Sequence, residues 1–176
     1  MIAKLKKKSI QKFYNKTIVK KQAENQQKQV GKQQCKIKKI AILLDNESLE
    51  KIVIANLTNH FPFKKNDITV LIYRSFDKKQ EALPTFFTDK EIGFKAGLKS
   101  DNLKNFVKNE YDLLINYVKT PNLYVNTITL LSQARLKVSF AGVDDRLYDI
   151  VISDEGLNET VLNQEIKKYL IILKKI

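Results

Sequence analysis

Asp45, Asn46, Arg74, Asn116 and Asp154 stand at or just beyond the ends of apolar runs that read as β-strands. In an open parallel sheet ligands bind outside the carboxyl ends of the strands, so these five residues outline a strand-end pocket. Asp45 and Asp154 would form a carboxylate pair there, suited to general acid–base work or to a cation. The competing role for Asp and Asn at such positions is turn closure and helix capping, and no residue is assigned as catalytic. Phosphate cradling has little support: Leu44-Asp45-Asn46-Glu47-Ser48 contains no glycine and two acids. A dinucleotide fingerprint needs glycines for close backbone approach, and acids at that turn repel a pyrophosphate. Gly93 and Gly97, in Gly-Phe-Lys-Ala-Gly, lack the spacing of a phosphate loop. Cys35 lies among Lys32, Lys36 and Lys38, which favours its thiolate, but no histidine is near it in sequence, and His60 precedes Phe61-Pro62 at a helix end. One Cys and one His cannot supply the roughly four ligands of a structural zinc site; neither metal nor cofactor is expected. Tyr73, Phe86 and Phe87 suit base stacking as well as core or edge contacts.

Charge is the more informative feature. The 176 residues carry 32 Lys+Arg against 19 Asp+Glu, a net charge of +13. Residues 1–39 hold 13 Lys and a single acid, Glu24, and so account for +12 of it. The rest of the chain, with 19 basic and 18 acidic groups, is nearly neutral. Only Arg74, Arg135 and Arg146 are arginines. Lysine is a hydrated point charge, whereas arginine's planar fork reads phosphates and guanine edges in a bidentate way. The basic segment therefore suits non-specific attraction to polyanions, with Lys4, Lys6, Lys7, Lys8, Lys12, Lys16, Lys20 and Lys21 as its candidate binding residues. A hydrophobic fraction of 43% is enough for a real core. A single Cys points to a reducing compartment. No apolar run approaches the roughly 20 residues of a membrane span, and the N-terminus lacks the apolar core of a secretory signal. A cytoplasmic location is expected.

The elements that must position these residues follow from periodicity. Residues 2–29 read as a helix with Ile10, Phe13, Tyr14 and Ile18 on one side and Lys8, Lys12, Lys16 and Lys20 on the other. Gln-rich residues 22–34 are a helix extension or a flexible connection. The charge pattern divides the chain into a basic helical arm, 1–35, and an α/β domain, 36–176. A strand at 37–44, a helix at 47–61 stopped by Pro62 and a strand at 68–73 form one β-α-β unit with a right-handed crossover. Residues 83–87 are a short strand or extended loop, and Pro84 argues for an edge. A helix at 100–110, a strand at 112–118 and a helix at 121–134, with Pro121 in its first turn, come next. Strands at 136–141 and 149–153 are joined by an acidic loop too short for a helical crossover, which implies a wide hairpin or strands set apart. Residues 158–176 are a closing helix. The alternation predicts a three-layer α/β/α sandwich with a mostly parallel, Rossmann-like sheet, preceded by a basic N-terminal helix.

Three stretches carry a resemblance: Tyr111-Asp112-Leu113-Leu114-Ile115-Asn116-Tyr117, Leu131-Ser132-Gln133-Ala134-Arg135-Leu136-Lys137-Val138-Ser139-Phe140 and Asp145-Arg146-Leu147-Tyr148-Asp149-Ile150-Val151-Ile152. Together they resemble an uncharacterised family of small bacterial α/β proteins, a domain of unknown function. Its members also begin with a basic helix and end with a Lys-Tyr-Leu type helix, here residues 167–176. That resemblance implies no activity. The middle stretch is also similar to the N-terminal domain of heptosyltransferase-like glycosyltransferases, in which a Ser-x-Ala-x-x-x-Val-Gly turn follows the helix. Here Ser139 replaces that glycine, and the second, nucleotide-sugar-binding domain has no counterpart.

The functional expectation is a non-enzymatic binding protein whose basic helix docks a small α/β domain on an anionic partner, RNA or the ribosome first. One alternative is peripheral association with the anionic inner membrane face, with Ile10, Phe13, Tyr14 and Ile18 inserted among headgroups. Another is a small transferase or hydrolase using the strand-end crevice.

Overall fold

Ile40, Ala41, Ile42, Leu43 and Leu44 form β1 (Ile40–Leu44), and all five are buried. An uninterrupted apolar strand is what a sheet covered on both faces requires. In the computed structural model, which describes residues 1–27, 36–77 and 83–176, β1 pairs in parallel with β2 (Ile68–Tyr73) and β4 (Leu113–Asn116). With β3 (Phe86–Phe87), β5 (Leu136–Phe140) and β6 (Ile150–Ile152), the sheet runs β3-β2-β1-β4-β5-β6 with every pair parallel. This is the doubly wound order, which reverses between β1 and β4. The short β3 lies at the edge, on the far side of Pro84, which has no amide proton to give a central strand.

Alternate strand residues face opposite layers. Ile40, Ile42, Leu44, Leu113, Ile115, Val138 and Phe140 pack with Val53 and Leu57 of α2 (Glu50–His60) and with Leu162, Ile166 and Leu170 of α5 (Glu159–Ile172). Ala41, Leu43 and Leu114 face Leu103 and Phe106 of α3 (Asp101–Lys108) and Val125 and Ile128 of α4 (Leu123–Leu131). Ile10 of α1 (Ile2–Gln27) joins that second core. The three-layer α/β sandwich read from the sequence is thus the observed fold.

Local chemistry sets the helix starts. Ser100 caps α3 through Leu103 N, and Asn158 caps α5 through Thr160 N and Val161 N. Asn122 accepts hydrogen bonds from Tyr124 N and Val125 N, so α4 begins after it. Pro121 therefore lies outside the helix instead of in its first turn, because the Asn122 side chain satisfies two amide protons that a proline start would leave unmet.

The joint between β5 and β6 also differs from expectation. The strands are neighbours and parallel, Val138 opposite Ile150 and Phe140 opposite Ile152, and so form neither a hairpin nor a separated pair. One 3-10 turn, Asp145–Leu147, is the only regular element in the connection. Helix α1 packs against this connection and against α4. Tyr14 and Ile18 of α1 pack with Leu130 and Leu147 in a third apolar cluster. The Tyr14 hydroxyl donates to Asp144 Oδ2 at 2.6 Å, while Arg146 grips the same carboxylate through Nε and Nη2, each at 2.7 Å. Burial, then the carboxylate beside it, raises the Tyr14 pKa, and the Arg146 hydrogen bond holds Asp144 below the usual carboxylate range. Tyr14→Phe should lower stability by about 1 kcal/mol, the usual net worth of a hydrogen bond with Arg146 still satisfying the carboxylate, in urea unfolding followed by circular dichroism.

Candidate polyanion interface and strand ends

Helix α1 has two unlike sides. Ile10, Tyr14 and Ile18 are 0%, 3% and 1% exposed, and Phe13 is half-buried. Lys4, Lys7, Lys8, Lys12, Lys16 and Lys20 are exposed. Five of these recur at four-residue spacing, Lys4 to Lys20, so they form a ladder along the outer surface, about 24 Å long at 1.5 Å per residue. Lys6 and Lys21 are turned inward. Lys6 Nζ donates to the Asp89 carbonyl at 2.6 Å and lies 3.4 Å from its carboxylate, and Lys21 Nζ donates to the Leu130 carbonyl. Ser9 Oγ accepts from Lys95 N at 3.1 Å. The helix is thereby fastened at Ser9, Lys6, Tyr14 and Lys21, and the apolar stripe proposed for membrane insertion is occupied by the protein's own core.

The ladder works against the helix that carries it. Like charges four residues apart cost about 0.2–0.5 kcal/mol per pair. The first turn has no acid, and Lys4, Lys7 and Lys8 sit near the partial positive end of the helix dipole. Among the described residues, Glu24 lies 3.8 Å from Lys20 as a surface pair of little worth.

Four of the five strand-end residues are engaged locally. Asp45 is exposed after β1. Asn46 Oδ1 accepts from Ser48 N at 3.0 Å and caps the 3-10 turn Glu47–Leu49. Arg74 lies 4.4 Å over the Phe86 ring and borders a cavity at the β3 edge with Phe76 and Lys90. Asn116 is fully buried; its Nδ2 donates to the Tyr148 hydroxyl at 2.6 Å and its Oδ1 accepts from Val118 N at 3.0 Å. Asp154 Oδ2 accepts from Asn158 N at 2.8 Å in the turn before α5. Beyond β4 the chain is buried at Tyr117 and Val118. The Tyr117 hydroxyl donates to Asn163 Oδ1 at 2.6 Å, and Lys119 pairs with Glu159 at 2.8 Å. Tyr73 stacks on Tyr124 with ring centres 5.9 Å apart, and Phe87 is fully buried, so both are taken up by the protein. Cys35 lies outside the described residues, and His60 is exposed at the end of α2. Among the described residues no group of three or more His, Cys, Asp or Glu is placed to hold a metal ion.

Sequence spacing does not single out Lys137. It stands in β5 between Leu136 and Val138, and its ammonium donates to the Thr129 and Ser132 carbonyls at 2.6 and 3.0 Å. Burial pulls its pKa down to about 8. The signal was a lysine within an apolar strand, on the same face as buried Ser139.

No helix among the described residues is long and apolar enough to cross a membrane. No curated protein and no solved structure matches the chain, so the similarity to glycosyltransferases is without support. The family of unknown function DUF6913 matches residues 6–173, from within the basic helix to the residue that follows α5. With nearly its whole length matched, the chain belongs to that family.

Proposed function

We propose that the protein is a non-enzymatic binding protein that docks on RNA through the outer face of α1. The single observation behind this reading is the exposed ladder of Lys4, Lys8, Lys12, Lys16 and Lys20 on a helix whose opposite face is locked into the core. A helix already packed on the core has given up the backbone freedom that a disordered basic tail loses on binding. The repulsion within the ladder and against the helix dipole is relieved when phosphates approach. Lysine in place of arginine favours backbone attraction over base readout. The experiment is RNA binding by the full chain and by a variant with all five ladder lysines changed to Gln, across a salt series. Equal binding by both proteins refutes the reading, as does binding that does not weaken with salt. Binding of the wild type to anionic vesicles but not to RNA would assign the face to a lipid surface.

A further inference from the structure

A cavity of about 400 Å³ opens where α1, the end of α4, the start of β5 and the segment entering β6 meet. Lys21, Arg135, Lys137 and Arg146 line it against Glu24 and Asp149. Arg146 is committed to Asp144 by its two 2.7 Å bonds. Arg135 lies 3.6 Å from Asp112 and 3.8 Å from Glu110. Lys21 and Lys137 are placed differently: both point their ammonium groups at backbone carbonyls, Leu130 for the first and Thr129 and Ser132 for the second.

Two positive charges are thus gathered at one helix end, whose dipole supplies only about half a negative charge. At Lys137, the repulsion from Lys21 is a larger influence than the attraction of Asp149. Burial lowers the pKa of Lys21 as well. Each ammonium carries three N–H donors. Among the described residues these carbonyl bonds use two donors of Lys137 and one of Lys21, leaving three on the two groups. A phosphate monoester carries about −1.5 to −2 at neutral pH and three acceptor oxygens. Its three acceptors match the three donors left on the two lysines, and its charge adds to that of Glu24 and Asp149 in facing them. The volume falls within the range of small-ligand sites, roughly 300–1,000 Å³, so the group that the phosphate esterifies also fits.

We propose that this cavity binds a phosphate monoester, its phosphoryl group received by Lys21 and Lys137 with Arg135 beside them. The site is separate from the outer lysine ladder, because Lys21 is on the inward side of α1. The phosphate comes either from a small phosphorylated compound or from the phosphorylated end of an RNA strand lying along the ladder.

Calorimetry and lysine side-chain NMR on the full chain would test it, with inorganic phosphate, ribose 5-phosphate, and a short oligoribonucleotide bearing either a 5′-phosphate or a 5′-hydroxyl. The expected result is saturable binding of ribose 5-phosphate that raises the Lys137 pKa above about 8, since a bound anion stabilises the ammonium. Affinity then falls as pH rises through that value. Among the described residues, the titratable groups that line the cavity with Lys137 are Lys21, Glu24, Arg135, Arg146, Tyr148 and Asp149. Lys21→Gln, which leaves the Lys137 carbonyl bonds in place, should weaken binding at least about tenfold, in line with the loss of one charged hydrogen bond. The five-lysine ladder variant should bind ribose 5-phosphate as the wild type does. If the oligoribonucleotide binds more tightly than ribose 5-phosphate, and only when phosphorylated, the source is a strand end; equal binding of the two phosphates assigns a small compound. Absence of saturable binding by all the phosphorylated probes overturns the proposal. So does binding unaffected by Lys21→Gln in a variant that retains the wild-type melting profile, or binding without change at Lys137.

Discussion

Removal of residues 1–35 should abolish cooperative folding of the remaining chain. Ile10, Tyr14 and Ile18 are at most 3% exposed, and each fully buried side chain of this size contributes about 1.5–3 kcal/mol. Their combined loss, about 5–9 kcal/mol, rivals the roughly 5–15 kcal/mol by which a whole domain is stable. The loss also propagates. Every residue from Val125 to Leu130 of α4 is buried, so that helix needs cover on more sides than the sheet provides. Without α1, Leu130 and Leu147 lose Tyr14 and Ile18 as neighbours, and the Leu130 carbonyl loses Lys21. A milder form of the experiment is Ile10→Ala, expected to cost about 2–5 kcal/mol for a buried aliphatic side chain. In a chain of this size that lowers the melting temperature by about 5–15 °C. The measurement is thermal and urea unfolding by far- and near-ultraviolet circular dichroism. A truncated chain that keeps a sharp transition and a native tyrosine signal would show that the sheet and its remaining helices are self-sufficient.

Changing Lys4, Lys8, Lys12, Lys16 and Lys20 to Gln should have the opposite pattern: binding lost, fold kept. Each phosphate neutralised contributes a slope of about −0.7 to −0.9 in log affinity against log salt. If all five lysines reach phosphates, the slope should flatten by about 3.5–4.5. RNA affinity at low salt should drop by at least two orders of magnitude, on the order of half a decade per lost contact. Stability should rise by about 1–2 kcal/mol, since four like-charged pairs disappear from the helix surface. Filter binding against salt and urea unfolding read the two effects separately. An unchanged salt slope would show that the ladder does not meet the nucleic acid. A large loss of stability would mean that these lysines hold the helix in place.

The order of elements was legible because strand and helix signals are local. The apolar run at 40–44, the β-branched start of 68–73 and the capping residues Ser100 and Asn158 each act over a few residues, and the structure follows them. Pro121 misled because Asn122, one residue later, is the stronger helix start. The β5–β6 joint misled for a different reason. A parallel neighbour normally needs a crossover helix, and the helix packed on this connection comes from the opposite end of the chain, more than a hundred residues away. Asn46, Asn116 and Asp154 look alike in sequence, yet two close turns and one is buried under Tyr148.

Sequence by itself determined the α/β class, a mostly parallel sheet and the confinement of nearly all the net charge to the first 39 residues, because periodicity and charge sum along a chain whatever it folds into. Only the tertiary structure decided which lysines face solvent, which are spent on Asp89 and Leu130, and that Lys137 shares a cavity with Lys21. A charge becomes a site through what surrounds it. That environment is assembled from α1, α4, β5 and the entry to β6, segments that no local pattern joins.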